Sequence, residues 1–220
     1  MSALRQTVAV ELDYPETDGK PMAETDKHRD LMTELIEQLK THFQDDPQVY
    51  VSGNMLLYYE EGNSKKSLAP DVFVVRGVSK HLRRVYKLWE EGRAPEVVFE
   101  ISSRATWGDD LQKKWRRYAQ MGVREYFIFD PEYDYLEPAL NAYRLVNGEY
   151  KQLRSLGGVV TSKTLGLELV DTGETLRLRN PTTGQFLPTI SELRNRAQSA
   201  EEELAQLRAE LATLKRKESR

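Results

Sequence analysis

The sequence predicts an α/β (α+β) fold, a mixed β-sheet with helices packed on it, carrying a separate helix at its C-terminal end. Three observations predict it. Short apolar runs of strand length alternate with amphipathic helical segments over residues 21–131. Among those runs, VFVV at Val72–Val75 is apolar on both faces and Val97–Ile101 reads the same way, as buried strands do. From Ile190 onward the apolar positions recur every three and four residues without a slip, which makes a coiled-coil seam rather than the broad stripe of a surface helix. The chain therefore divides into a folded domain over 1–185 and a coiled-coil helix over 189–220.

Residues 1–20 are polar, with a short strand candidate at Thr7–Leu12. A helix starts near Pro21–Thr25 and runs to Phe43, with Leu31, Met32, Leu35, Ile36, Leu39 and Phe43 as its apolar face. Tyr50–Tyr59 is a strand candidate closed by the turn sequence EEGNSKK, and Asp71–Val75 is the next strand. Ser79–Gly92 reads as a helix with Leu82, Val85, Tyr86 and Trp89 on one side and Gly92 as its stop. The strand Val97–Ile101 follows, then a helix over Asp109–Met121 ended by Gly122, then the strand Glu125–Phe129 before the turn pair Asp130-Pro131. Leu140–Leu145 and Tyr150–Leu153 flank Asn147-Gly148, a hairpin signal. Short strands at Leu167–Val170 and Leu176–Leu178 complete the domain.

In the tail, Ile190, Ala197, Leu204 and Leu211 fill the a positions, and Leu193, Ala200, Leu207 and Leu214 the d positions. In a parallel pair each g residue faces the e residue of the partner's next heptad. These pairs are Arg196 with Glu201, Glu203 with Arg208 and Glu210 with Lys215, opposite in charge every time. A homodimer through this helix is the expected assembly.

There is no cysteine, so thiolate metal sites, disulfides and cysteine nucleophiles are excluded. The first residues show no signal-peptide pattern, and no apolar run approaches the ~20 residues of a membrane span, so a soluble cytoplasmic protein is expected. The net charge of −3 gives no basic surplus of the kind nucleic-acid binders usually carry. Two local clusters are basic, KHLRRVYK at Lys80–Lys87 and KKWRR at Lys113–Arg117, and both read equally well as solvated faces.

The candidate chemistry lies between Pro70 and Pro131. Asp71 and Glu100 stand at or near the ends of apolar strands, and a lysine-bearing helix follows Glu100. Phosphodiester hydrolysis needs an activated water and a neutralised developing charge, and a divalent ion held by carboxylates supplies both. Mg²⁺ suits a sparse acid pair, because it keeps several waters. Side chains alternate along a strand, so Val98, Glu100 and Ser102 share one face. On the helix, Leu111, Trp115 and Tyr118 form the buried stripe, and Lys114 lies about 60° from Leu111 and about 40° from Tyr118, while Lys113 points to solvent. The histidines are His28, His42 and His81; no pair has metal-ligand spacing, so a histidine metal site is not expected. No glycine-rich phosphate loop and no Gly-x-Ser-x-Gly elbow is present.

The segments LAPDVFVV, EVVFEISS, D-x-x-x-K-x-x-x-Y-x-x-x-G and VREYFIFDP, in this order, resemble the bacterial Uma-two family of putative restriction endonucleases, within the PD-(D/E)XK nuclease superfamily. The resemblance covers roughly residues 21–180. It implies a restriction-endonuclease-like sheet flanked by helices, with Asp71 and Glu100 as metal carboxylates. The superfamily pattern sets the catalytic lysine two residues after the second acid, where this chain has Ser102; the family position corresponds to Lys114. Superfamily members often add an acid from the first helix, and Glu24, in line with His28, Leu31 and Leu35, is the candidate here.

Three functions are compatible with these residues. The first is an Mg²⁺- or Mn²⁺-dependent DNA endonuclease, favoured by the acid pair with Lys114. The second is a nuclease fold that holds nucleic acid without cutting it, kept open by Ser102 and the acidic net charge. The third is an interaction protein working through its C-terminal coil.

Overall fold

Helix α1 (Asp26–His42) opens the fold, capped by Thr25, whose side chain accepts the His28 N–H at 3.2 Å. The computed structural model describes residues 13–17, 19, 24–104 and 106–218; the strand expected at Thr7–Leu12 lies outside them. Leu31, Met32, Leu35 and Leu39 are the buried face of α1, as their spacing requires.

A six-stranded sheet forms the centre. It uses β1 (Val49–Ser52), β4 (Val72–Arg76), β6 (Val97–Ile101), β7 (Glu125–Phe129), β8 (Leu140–Val146) and β9 (Glu149–Gln152), in the order β1-β4-β6-β7-β8-β9. Strands β6 and β7 run parallel, whereas the other neighbours are antiparallel. Parallel neighbours need a crossover connection. Helix α3, over 107–121, is that connection, which is why it lies beside β6.

The two faces of the sheet have separate cores. On one, α1 packs with Val72, Val74, Val97, Phe99, Phe127 and a three-stranded sheet of β10 (Val159–Ser162), β11 (Leu167–Asp171) and β12 (Leu176–Arg179). On the other, Phe73, Val75, Val98, Tyr126 and Ile128 pack with Tyr118 of α3 and with Leu57 and Tyr86. The latter two belong to a small sheet of β2 (Leu57–Tyr58), β3 (Ser67–Leu68) and β5 (Tyr86–Lys87).

Two expected elements differ. The strand expected over Tyr50–Tyr59 is broken into β1 and β2 at Gly53-Asn54, where Asn54 adopts φ 48° and donates its N–H to the Pro70 carbonyl at 2.9 Å. The helix expected over Ser79–Gly92 is reduced to α2 (Leu88–Glu91), preceded by β5. The apolar stripe does not exist as such: Leu82 is 97% exposed, while Tyr86 is fully buried and pairs parallel with Leu57. Strands β3 and β10 had no clear sequence signal.

Helix α4 (Ile190–Glu218) is continuous. Its first turn is tied to the domain, where the Ile190 N–H donates to Glu34 Oε1 at 3.0 Å and Arg177 pairs with Glu192 at 3.2 Å. Farther along, Leu204, Leu207, Leu211 and Leu214 are 48%, 56%, 54% and 57% exposed, so the seam faces solvent in the single chain. Among the described residues no helix is long and apolar enough to cross a membrane.

Candidate active site

The register of β4 on β6 pairs Val72 with Phe99 and Phe73 with Val98. One further step along that ladder sets Asp71 opposite Glu100, on the face covered by α3. Asp71 sits immediately before β4, and its Oδ2 accepts the Ile101 N–H at 2.7 Å. Gly53 packs against the Asp71 backbone: a Cβ there would stand 1.9 Å from the Asp71 carbonyl oxygen. The glycine that interrupts the first expected strand thus lets the chain approach closely enough to hold Asp71.

Glu100 is only 1% exposed and both its oxygens are engaged. Lys114 Nζ donates to Oε2 at 2.7 Å and the Tyr118 hydroxyl donates to Oε1 at 2.6 Å. Lys114 also lies 2.9 Å from Asp110 Oδ1, forming a second ion pair. Asp110, fully buried, accepts the Ser102 hydroxyl on Oδ2 at 3.1 Å, and its carbonyl accepts the Tyr126 hydroxyl at 3.0 Å. Asp110, Lys114 and Tyr118 follow each other by four positions on α3; Lys114 and Tyr118 converge on the Glu100 carboxylate, and Asp110 holds Lys114. The segment Asp110–Lys114 is π-helical, a widened turn often found at functional sites. Lys113 points out: it is 79% exposed and pairs with Asp109 at 2.9 Å.

The N-terminus of α1 reaches the same place from the opposite side of the sheet. His28, buried in the first turn, sets Nε2 3.4 Å from Asp71 Oδ2 and Nδ1 3.3 Å from Glu24 Oε2. One donor atom each of Glu24, His28 and Asp71 lies within 4.8 Å of the others, a spacing that could hold a metal ion. The expected candidates Asp71, Glu100, Lys114 and Glu24 are therefore brought into one cluster. His28, a residue outside the expected set, joins them. Asp110 joins them too, a residue that stood in the sequence pattern without a role.

Burial pushes the Glu100 carboxyl well above its ordinary range, with Asp71 and Asp110 adding to the rise and Lys114 opposing it. Burial alone would lower Lys114, but the charges of Glu100, Asp110 and Asp71 raise it, so its ammonium stays protonated. His28 is raised likewise: burial works downward, and Asp71 and Glu24 outweigh it. Four carboxylates thus surround one ammonium and one imidazole.

A family model described as putative restriction endonuclease, Uma2, matches residues 4–174. The chain belongs to the Uma2 family. Its match covers every residue of the cluster and ends before α4, which is an addition to the Uma2 part. Membership assigns the chain to the nucleases. A solved structure from Anabaena variabilis, described as a putative nuclease belonging to DUF820, is similar at a TM-score of 0.51 and 16% identity, over 69% of this chain and 86% of that one. That likeness shows the fold, a mixed sheet flanked by helices. A search of curated proteins returned no match.

The Uma2 pattern D-x-x-x-K-x-x-x-Y already contained Asp110, so its spacing from Lys114 was the available signal for a shared contact. For His28 the signal was its place four residues after Glu24, one turn of the same helix. Nothing local linked His28 to Asp71, because that contact forms only once α1 has packed on the sheet.

Proposed function

We propose that this protein is a metal-dependent endonuclease hydrolysing DNA phosphodiester bonds, with Asp71, Glu100 and Lys114 as its working residues and Glu24 as a supporting acid. The observation that carries it is the ammonium of Lys114, 2.7 Å from Glu100 Oε2. The superfamily's usual lysine position is Ser102 here, and a lysine on α3 brings its charge beside the same acid. Ser102 instead holds Asp110 through its hydroxyl.

The donor set fits a divalent ion. Carboxylates outnumber cationic groups, and hard oxygen donors suit Mg²⁺ or Mn²⁺. Asp71 and Glu100 would hold the ion, which when bound supplies charge neutralisation and an activated water. Lys114, kept protonated by its acidic neighbours, stands ready to orient that water or to meet the charge that develops on the phosphate. Tyr118 and Lys114 fix the orientation of Glu100, and the Ile101 N–H fixes Asp71. Glu24, Asp71 and Lys114 are the partly exposed members, so substrate approaches from their side. Arg104, Lys113 and Arg116 are exposed beside the site and offer charge to a DNA backbone. The cluster at Lys80–Lys87 is less suited: Arg83, Arg84 and Lys87 pair with Glu91, Glu16 and Glu90.

In this reading the protein is cytoplasmic and pairs through α4 as a homodimer, presenting two sites to two strands. The test is supercoiled and linear plasmid incubated with and without Mg²⁺ or Mn²⁺. Nicking that needs the metal supports the enzyme. A gel shift without cleavage under any metal would leave a nucleic-acid-binding module instead.

A further inference from the structure

We propose that Asp110 is a positioning residue that takes over the Lys114 ammonium when Glu100 gives up an oxygen to a cation, so that the lysine changes partner without leaving the site. The inference rests on the proposed ion at Asp71 and Glu100 and gives Asp110 a role that the proposed reaction does not yet assign.

Both oxygens of Glu100 are already engaged. Oε1 accepts the Tyr118 hydroxyl at 2.6 Å, and Tyr118 is fully buried. Oε2 accepts Lys114 Nζ at 2.7 Å, and the Lys114 side chain is partly exposed. A cation shared with Asp71 enters from the open side and meets Oε2. Mg²⁺ stands about 2.1 Å from an oxygen ligand, so on that one oxygen it would lie only about 4 Å from the ammonium. Two like charges repel strongly at that distance in a site shielded from water. Oε2 therefore serves one of them at a time.

Lys114 cannot simply be released. Its side chain is only 20% exposed, and a buried ammonium without a partner is strongly unfavourable. Asp110 supplies the partner. Its Oδ1 lies 2.9 Å from Lys114 Nζ and holds no hydrogen bond, whereas Oδ2 accepts the Ser102 hydroxyl at 3.1 Å. Asp110 and Lys114 are one helical turn apart, so a small rotation at the end of the lysine stem carries the ammonium from Glu100 onto that oxygen with the backbone at rest.

Asp110 is built to stay where it is. It is fully buried, Ser102 pins its side chain, and its carbonyl accepts the Tyr126 hydroxyl at 3.0 Å. Ser102 occupies the strand position at which the superfamily pattern has its lysine. Strand and helix positions then act together: the serine fixes the acid, and the acid receives the lysine. Lys114 ends beside the ion with its charge intact, no longer competing for the carboxylate.

The experiment is Mn²⁺ binding to the full-length protein, followed by loss of the free-ion magnetic resonance signal, in wild type, Asp110→Asn, Lys114→Met and the double variant. Asparagine keeps the shape of the side chain and removes its charge. Asp110→Asn is expected to bind Mn²⁺ at least about 100-fold more weakly than wild type, because freeing Glu100 now strands the ammonium. Lys114→Met has no ammonium to strand, so adding Asp110→Asn to it should change affinity by less than about tenfold. A crystal structure of wild type with Mn²⁺ gives a second test that needs no variant to fold. There Lys114 Nζ is expected beyond about 3.5 Å from Glu100 Oε2 and hydrogen-bonded to Asp110 Oδ1. Mn²⁺ bound with Lys114 still on Glu100 Oε2 would overturn the inference and leave the ion at Asp71 and Glu100 standing. An Asp110→Asn effect of equal size with and without Lys114, the mark of a merely structural role, would do the same. Wild type that binds no Mn²⁺ would remove both the ion and the inference.

Discussion

Lys113 and Lys114 are adjacent, yet their surroundings differ completely. Lys114 lies between Glu100 and Asp110, whereas Lys113 meets Asp109 at the surface. Removing a charge contact made in the transition state costs on the order of 100–1,000-fold in rate. Lys114→Ala is therefore expected to lose at least that in single-turnover plasmid cleavage while still binding metal. Lys113→Ala should change DNA affinity at most, and more so at low salt. A dead Lys113→Ala beside an active Lys114→Ala would reverse their roles. A second residue-scale expectation concerns Gly53. Its added Cβ would lie 1.9 Å from the Asp71 carbonyl oxygen, so the β1–β2 connection or Asp71 must move. Gly53→Ala should cost about 1–3 kcal/mol in urea unfolding and lose metal-dependent cleavage. Unchanged stability and activity would mean that Asp71 does not depend on this contact.

At the scale of elements, the strands carrying Asp71 and Glu100 and the helix carrying Lys114 were legible, because each is long or apolar enough for its periodicity to decide it. The inward side of α3 followed from Leu111, Trp115 and Tyr118, all of which pack in the core. The segment 79–92 was misread because tertiary contacts override its helical spacing. Arg83 stacks over Tyr50, with its guanidinium carbon 4.2 Å from the ring centre, and holds Glu91 through two hydrogen bonds of 2.6 and 2.7 Å, while Tyr86 joins β2. Arg83 lowers the Glu91 carboxyl below its ordinary value of 4.5. A lowered acid stabilises the fold above its unfolded pKa, and that contribution is lost as pH falls through the folded value. Glu91→Gln should therefore be less stable than wild type near neutral pH, by about 3 kcal/mol for a broken, largely buried pair. The gap should close well below pH 4.5, by urea unfolding at both ends. A gap that persists in acid would mean that the pair's charge is not the cause.

For the whole molecule, the order of strands and helices could be read along the chain, but the meeting of α1 with β4 could not. His28 and Asp71 lie far apart in sequence, and their contact exists only once the first helix has packed on the face of the sheet. The helix α4 extends beyond the Uma2 match and keeps its leucine seam exposed. Its opposite-charge e and g pairs contribute only about 0.2–1 kcal/mol each, so they set orientation while the seam supplies attraction. Light scattering should give a dimer for the full chain and a monomer for a chain ending at Pro188. Two monomers would exclude pairing through α4.

The most direct measurement is cleavage of supercoiled plasmid in Mg²⁺ by wild type, Asp71→Ala and Glu100→Ala, each checked for folding by circular dichroism. If these carboxylates hold the working ion, wild type cuts, chelation stops it, and both folded variants are inactive. A folded Asp71→Ala or Glu100→Ala that cuts at the wild-type rate would contradict the assignment of the site.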